Sequence, residues 1–207
     1  MTCQTALHDR SFDWIVLEMP EFKERAKRRA FNRWLTEGEF AEYKRLKSVS
    51  RSEKWLVARY GAKFLAKKFF DENLAMKDIE ISKSKTGRPF IKIKGIRKKL
   101  SISISHSGTM TAIAISNGLV GVDIEKIRHI SLKAKNYFLT GNEVWAKSKK
   151  EAVIAWTLKE ALFKANGKGI FNPRNLEIIK SGNKYIHDDF MINSVIIKDY
   201  VISFALR

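Results

Sequence analysis

Residues 151–170, EAVIAWTLKEALFKANGKGI, constrain the fold more than any other stretch of this chain. Their apolar positions recur at about 100° per residue, which predicts a helix with one stripe packed against a core. That stripe consists of Ile154, Leu158, Ala161, Leu162 and Ala165. Glu160 lies nearly opposite the stripe, and its neighbours one turn away are Trp156, Phe163 and Lys164. A purely structural helix seldom carries an acid, a base and two large aromatic residues on its solvent side, so this face is predicted to be functional.

The glycines at 167 and 169 tolerate positive φ, so the helix should end near Ala165.

A strand with two carboxylates precedes this helix. Residues 119–124 alternate small and β-branched side chains, and side chains two apart on a strand point to the same face, which places Asp123 beside Glu125. Two carboxylates held so close repel each other, and a proton, a cationic side chain or a divalent metal ion relieves that repulsion. If the helix packs across this strand, Glu160 becomes a third oxygen donor.

These two segments carry a resemblance to a known family. GVDIE (residues 121–125) followed by WTLKEALFKANGKG (residues 156–169) resembles the paired signature of the 4′-phosphopantetheinyl transferases, G-x-D-x-E and W-x-x-K-E-A/S-x-x-K. SISHSG (residues 103–108) is similar to the SxSHS segment of that family, and GRPF (residues 87–90) is similar to its G-K-P segment. The resemblance covers the middle and C-terminal parts of the chain, and only loosely the first fifty residues.

The resemblance implies an α+β fold of two similar lobes related by pseudo-twofold symmetry, with the active site between them. Each lobe is expected to be a mainly antiparallel sheet packed with helices, the first over residues 1–117 and the second, with the metal-binding motifs, over residues 118–207. Both halves show strand, short helix, long helix and further strands, without βαβ alternation and without a repeat at residue level. About 120 residues precede GVDIE, which is typical of the monomeric surfactin-synthetase-activating (Sfp-type) branch.

The activity that the resemblance implies is transfer of the 4′-phosphopantetheine arm of coenzyme A to a serine of an apo acyl or peptidyl carrier protein, releasing 3′,5′-ADP. Asp123, Glu125 and Glu160 are expected to hold Mg²⁺, with Mn²⁺ as an alternative, and Lys164 to steady phosphate charge. The catalytic residues are therefore expected to be Glu160, Lys164 and Asp123. The sequence does not decide which group is the general base; Glu160 could activate the serine directly or through a metal-held water.

Contacts with coenzyme A are implied along much of the chain. The expected contact residues are Lys54, Arg59, Gly87, Arg88, Pro89, Ser105, His106, Lys159 and Lys164. Several have simpler explanations: basic residues such as Lys54 and Arg59 are often only solvated, and Lys159, about 100° around the helix from Glu160, can belong to an ion pair. Arg88 replaces the usual lysine, which changes a point charge into a planar fork.

Local patterns predict further elements. Thr36 followed by Glu39 is a capping-box pattern, and residues 140–143, TGNE, predict the start of a helix before the long one. The densely charged segment 21–33 predicts a solvated helix face, with an anion-binding surface as the alternative. Basic residues after the carboxylate pair are the expected docking positions for an acidic carrier protein: Lys126, Arg128, Lys133 and Lys135.

The charge of the chain limits its partners. A formal net charge of +18 over 207 residues predicts attraction to nucleic acid, an anionic membrane, a phosphorylated cofactor or an acidic protein. The single cysteine, Cys3, excludes an internal disulfide and a CxxC metal site and fits a reducing compartment. No apolar run is long enough to span a bilayer and the N-terminus lacks a signal-peptide pattern, so a cytoplasmic protein without a membrane partner is expected.

A basic nucleic-acid-binding module without enzymatic activity is the alternative function. The charge supports it, as do the aromatic residues interleaved with basic ones over residues 22–34. Three acids where phosphates would otherwise bind, and the lack of a DNA- or RNA-binding signature, argue against it. We therefore expect coenzyme A and an acidic carrier protein as partners, and no nucleic acid.

Overall fold

The structure is a computed structural model that describes residues 11–19, 31–71, 73–84, 87–167 and 169–207. It divides into two compact units, the first formed by Met1–Ile104 with Thr109–Asn117 and the second by Ser105–Gly108 with Gly118–Arg207. Most of the charged segment 21–33 lies outside the described residues. No helix in the described part of the chain is both long and apolar enough to cross a membrane.

Within the residues that the structure describes, the first unit is a five-stranded sheet with two α-helices. In chain order its elements are β1 (Phe12–Glu18), α1 (Glu37–Lys44), α2 (Val49–Phe70), β2 (Ile79–Lys83), β3 (Pro89–Ile93), β4 (Ile96–Ser107) and β5 (Met110–Ser116). The strand order is β1-β5-β4-β3-β2, with antiparallel pairing of β1 with β5, β2 with β3, and β3 with β4. Short 3-10 turns cover Phe31–Arg33 and Met76–Asp78.

The second unit has the same kinds of element. They are β6 (Val120–Lys126), α3 (Leu132–Phe138), α4 (Lys149–Asn166), β7 (Ile179–Ser181), β8 (Lys184–His187), β9 (Phe190–Ile197) and β10 (Tyr200–Leu206). The strand order is β6-β10-β9-β8-β7, and every neighbouring pair is antiparallel. The expected α+β class with antiparallel sheets is confirmed.

Both sheets follow one connection rule. In each unit the first strand pairs with the last, and the remaining strands follow in reverse chain order. The long helix of each unit carries a lysine with no solvent exposure, Lys63 in α2 and Lys159 in α4. Each lysine donates to two backbone carbonyls and pairs with one glutamate, so the two units share a structural device at residue level that the sequence did not reveal.

The two glutamates that pair with these lysines also make similar hydrogen bonds to the backbone. Glu39 forms the predicted capping box with Thr36 at the start of α1, and its other oxygen accepts from the backbone N–H of Ile81 in the edge strand β2. Glu143 accepts from the backbone N–H of Thr140 and from that of Ile178, next to the edge strand β7. The helix predicted from Thr140 is not formed, because the Glu143 carboxylate is buried in these contacts within a turn.

The helix α4 forms as the periodicity predicts. Its N-cap is Ser148, which forms a capping box with Glu151, and it ends at Gly167, whose φ is 64°. The predicted apolar stripe is buried, and it packs against the inner face of the sheet around Val201 and Ala205. Helix and sheet thus bring the two sequence motifs into one unit.

Candidate active site

The strand β6 and the helix α4 approach each other unusually closely. A Cβ atom on Gly121 would lie 1.8 Å from the carbonyl oxygen of Ala161, so only glycine fits at this point of the strand. Asp123 and Glu125 follow at two-residue steps and therefore share the helix-facing side of β6, as predicted. Asp123 is buried and Glu125 is half-buried.

Lys164 joins the helix to the strand. Its Nζ donates to Asp123 Oδ1 at 2.7 Å and to Ser105 Oγ at 3.1 Å, while the Ser105 hydroxyl itself donates to Asp123 Oδ1 at 2.6 Å. Both hydrogen bonds therefore fall on one carboxylate oxygen. The other oxygen, Asp123 Oδ2, is buried without a hydrogen-bond partner among the described residues.

Glu125 is held by a second serine. The Ser107 hydroxyl donates to Glu125 Oε2 at 2.9 Å, and Ser107 Oγ accepts from the backbone N–H of Lys126 at 3.2 Å. Each carboxylate of β6 is thus bonded to a serine of the segment 105–107. His106, between these serines, is exposed.

Glu160 lies within the electrostatic influence of both β6 carboxylates. Burial raises the pKa of Glu160 and the negative charges of Asp123 and Glu125 raise it further, whereas the Lys164 ammonium opposes the shift. A proton on Glu160 is one way to relieve the repulsion among three acids, and a cation is another.

The predicted three-carboxylate metal site is not preassembled. In the described part of the chain, no three His, Cys, Asp or Glu side chains are already arranged around a common metal position. One oxygen of each β6 carboxylate is engaged by another side chain, because Lys164 pairs with Asp123 and Ser107 bonds to Glu125. The donor chemistry still suits a hard cation, because Asp123 Oδ2 is a buried oxygen that lacks a partner.

The aromatic residues beside Glu160 belong to a cluster that the sequence did not predict. Trp156 contacts Phe138 and Phe171 with ring centroids 5.3 and 5.7 Å away, and Phe163 contacts Phe171 at 5.0 Å. Phe171 follows the glycines that end α4, and an apolar residue just beyond a helix end was the available signal for this packing. Half-buried aromatic rings before and after Glu160 on the helix are consistent with its loss of hydration.

Lys159 is a correction to the sequence-based assignment. It was expected to contact coenzyme A, but its side chain has no solvent exposure and its three N–H donors reach Phe138 O, Glu143 Oε2 and Pro173 O at 2.7, 2.7 and 3.0 Å. Burial lowers the pKa of Lys159, and the Glu143 charge opposes that shift. The ion-pair alternative is therefore the one the structure supports.

Arg59 is also buried. Its guanidinium pairs with Glu42 at 3.4 Å and with Glu39 at 3.7 Å, and it lies 4.5 Å from the centroid of the Trp55 ring. Burial lowers the pKa of Arg59 although both glutamates raise it. A cavity of about 820 Å³ in the first unit is lined by the basic residues Arg59, Lys77 and Lys83 together with Glu37, Glu39, Glu42 and Glu80, so the Arg59 charge already has acidic partners there. Arg59 is therefore corrected from a phosphate contact to a structural ion pair.

The remaining predicted contacts of the first unit stay accessible. Lys54 is half-buried on α2, and Gly87 has a φ of 82° with open space where a side chain would begin. Arg88 is half-buried, its backbone N–H donates to Ser84 Oγ, and burial lowers its pKa. Pro89 begins β3.

Comparison with known proteins identifies relatives for the unit that carries this site. Residues 119–205 match the model of the 4′-phosphopantetheinyl transferase superfamily. The chain is 32% identical over 145 residues to the 4′-phosphopantetheinyl transferase gsp of Aneurinibacillus migulanus, over 66% of this chain and 56% of that protein. It is 33% identical over 103 residues to the 4′-phosphopantetheinyl transferase Sfp of Bacillus subtilis, over 46% of this chain and 45% of that protein. The chain thus spans about half the length of the curated relatives it matches.

Solved structures include a similar chain. A holo-(acyl-carrier-protein) synthase from Bacillus anthracis, in complex with CoA (3′,5′-ADP), aligns with 51% of this chain and 92% of its own length, at 23% identity and a TM-score of 0.45.

Proposed function

We propose that this chain, whose residues 119–205 match the model of the 4′-phosphopantetheinyl transferase superfamily, transfers the 4′-phosphopantetheine arm of coenzyme A to a serine hydroxyl of an apo carrier protein. The products are the holo carrier protein and 3′,5′-ADP. The similarity to Sfp and gsp favours the Sfp-type branch of the superfamily, and we expect a cytoplasmic monomer. The matched proteins are transferases, so they give no support to the nucleic-acid-binding alternative.

One observation carries the proposal. Lys164 of the helix motif bonds to Asp123 of the strand motif and to Ser105 of the third motif, so three segments distant in sequence form one site. A structural ion pair alone would not require a third polar partner, nor would it leave Asp123 Oδ2 buried and unpartnered. The arrangement suits an anionic substrate whose charge is balanced by a cation.

The side chains supply what the displacement needs. The serine oxygen of the carrier forms a bond to the β-phosphorus as the bond from that phosphorus to the bridging oxygen breaks, and the nucleotide leaves with the electron pair. Glu160, with its raised pKa, is the group that takes the serine proton. Lys164 places a positive charge beside Asp123, where it can stabilise phosphate oxygens of the leaving nucleotide.

A divalent cation is part of the proposal. Mg²⁺, with Mn²⁺ as the alternative, would be held by Asp123, Glu125 and Glu160 together with substrate phosphate oxygens, and would neutralise the charge of the pyrophosphate. Asp123 Oδ2 is the best-supported ligand atom, because it is buried and lacks a partner in the described chain. Magnesium is commonly held by one or two carboxylates plus substrate phosphates, so a preassembled three-carboxylate cluster is not required.

Of the coenzyme A contacts predicted from the sequence, we keep in the proposal those whose side chains are accessible to a ligand. We propose Lys54, Arg88 and His106 as phosphate contacts, and Gly87 with Pro89 as the turn that lies against the adenine end. Gly87 supports this role, because open space surrounds the position of its absent side chain.

The carrier protein is proposed to dock near α3. Arg128 and Lys133 are exposed, whereas Lys126 pairs with Asp199 at 3.0 Å and Lys135 donates to Lys147 O at 3.1 Å. Leu132 and Tyr137 on the same helix are 73% and 59% exposed, so basic and apolar side chains are available together. Such a surface suits an acidic partner with apolar anchor residues.

The test is intact-protein mass spectrometry of several unrelated apo carrier proteins after incubation with coenzyme A and Mg²⁺. We expect a mass increase of one phosphopantetheine arm, which Asp123→Ala or Glu160→Ala abolishes in folded protein. Asp189→Ala removes an exposed carboxylate of the same unit and should leave transfer intact. No mass increase with any carrier would reject the proposal, and a rise in melting temperature with oligonucleotide rather than with coenzyme A would favour the nucleic-acid alternative.

A further inference from the structure

The serine at the end of β4 makes a bond that the proposed mechanism does not use. Ser107 Oγ accepts the backbone N–H of Lys126 and donates its proton to Glu125 Oε2. A hydroxyl has a single proton, so the incoming N–H fixes which way that proton points. Ser107 therefore holds one chosen oxygen of Glu125 and leaves Oε1 without a partner in the described chain.

The backbone around Ser107 is itself fixed. Gly108 has a φ of 55°, and a Cβ at that position would lie 2.7 Å from the hydroxyl oxygen of Tyr200. Tyr200 is buried and is the β10 partner of Lys126 in the sheet. The turn that carries Ser107 thus packs against β10, which is the neighbour of the strand β6 that carries Glu125, and this limits the movement of the Ser107 hydroxyl.

Ser105 and Ser107 form a repeated pattern with the two carboxylates. Each serine donates to one oxygen of one carboxylate, and each carboxylate keeps a second oxygen that lacks a partner among the described residues. Ser105 also accepts from Lys164, so its substitution would disturb the proposed phosphate site. Ser107 bonds to Glu125 and not to Lys164. Its substitution can therefore test the Glu125 carboxylate without disturbing the proposed phosphate site.

We propose that Ser107 is a positioning residue that orients the Glu125 carboxylate for a divalent cation. The inference rests on the proposed function, because that function requires the cation. Groups that hydrogen-bond to a ligand carboxylate fix its orientation and its basicity, and their loss typically costs about 10- to 100-fold in metal affinity or activity. Ser107→Ala should therefore weaken metal binding without unfolding the protein, since Ser107 is only half-buried.

The experiment compares Ser107→Ala, Ser107→Thr and Ser101→Ala with wild type. Ser101 is a half-buried serine of the same strand, and it serves as the matched control. Binding of Mn²⁺ in the presence of coenzyme A is measured by calorimetry and by electron paramagnetic resonance, and melting temperatures report folding. We expect the Mn²⁺ dissociation constant of Ser107→Ala to rise about 10-fold or more. Ser107→Thr, which keeps the hydroxyl, should restore it to within a few-fold, and Ser101→Ala should match wild type.

The outcomes separate the two proposals. Wild-type protein that modifies a carrier, together with unchanged Mn²⁺ affinity in Ser107→Ala, overturns the role of Ser107 alone. Weakened binding in Ser107→Ala that threonine fails to restore also overturns it, because the hydroxyl is then not the cause. Wild-type protein that neither binds Mn²⁺ nor modifies any carrier overturns the proposed function and the positioning role with it.

Discussion

Lys159→Met tests whether the buried lysine of α4 is structural. The substitution keeps the length of the side chain and removes a charge that has no solvent exposure. It leaves Glu143 buried with only the backbone N–H groups of Thr140 and Ile178, both at 2.8 Å, and it deprives two carbonyl groups of their donor. Breaking a buried pair by removing one partner costs about 3–5 kcal/mol, because the other charge stays buried.

The expected loss is large enough for a simple assay. For a chain of 150–250 residues, about 1 kcal/mol shifts the melting temperature by about 2–4 °C, so Lys159→Met should lower it by about 6–20 °C. Lys164→Met is the matched control, five residues along the same helix. The lysine of its ion pair with Asp123 is 29% accessible and the aspartate 7%, so Lys164→Met should destabilise the protein less than Lys159→Met, whose pair is fully buried.

The two variants should also differ in activity. Lys164→Met should lose transfer while remaining folded, because its charge is proposed to act on phosphate. Lys159→Met should keep measurable transfer at temperatures below its lowered melting point. A melting temperature for Lys159→Met within 2 °C of wild type, or a larger destabilisation in Lys164→Met, would refute the assignment of structural and catalytic lysines.

Three further predictions follow from the site. Gly121→Ala places a methyl group 1.8 Å from Ala161 O, and thermal melting should show a destabilisation of at least about 1–3 kcal/mol; a wild-type melting temperature would contradict the close approach. The pKa of Glu160 is raised above 4.5 in the folded protein. Between pH 4.5 and the raised pKa, the folded state therefore binds more protons than the unfolded state, and the free energy of unfolding falls as the pH rises through this range. Melting curves of Glu160→Gln between pH 5 and 8 should be flatter than those of wild type, and identical slopes would reject this linkage. Charge reversal at both Arg128 and Lys133 should raise the KM for the carrier while leaving that for coenzyme A unchanged, and an unaltered carrier KM would exclude docking at α3.

Local patterns explain what the sequence could predict. The helix α4 and its ends follow from apolar periodicity, and the pairing of Asp123 with Glu125 follows from strand alternation. Both are determined by residues near in sequence, whose geometry is set by the backbone. The contact of Lys164 with Asp123 needed the packing of helix on strand, which the family resemblance implied.

The roles of Lys159 and Ser107 were not predictable in the same way. Two of the three partners of Lys159 are backbone carbonyls, which leave no signature in a sequence because every residue has one. Ser107 lies in a polar turn with a glycine, and that local pattern by itself is typical of a phosphate contact rather than of a bond to a carboxylate. Its bond to Glu125 depends on where β4 ends relative to β6, which is set by the tertiary structure and not by the local sequence.

The repeated architecture allows corresponding positions of the two units to be compared. Asp123 is the fourth residue of the seven-residue strand β6 and pairs with Ser203 of β10, as Ile15 is the fourth residue of β1 and pairs with Ile113 of β5. By the same register, Leu17 stands where β6 has Glu125.

The long helices α2 and α4 can be compared by aligning their buried lysines, Lys63 and Lys159. Lys63 is followed by Phe64, whereas Lys159 is followed by Glu160, so the first unit has apolar side chains at all three acidic positions. The shared sheet order and the buried lysine–glutamate pairs provide the scaffold in both units. We therefore expect the cation to bind in the second unit, which has acidic residues at these three positions.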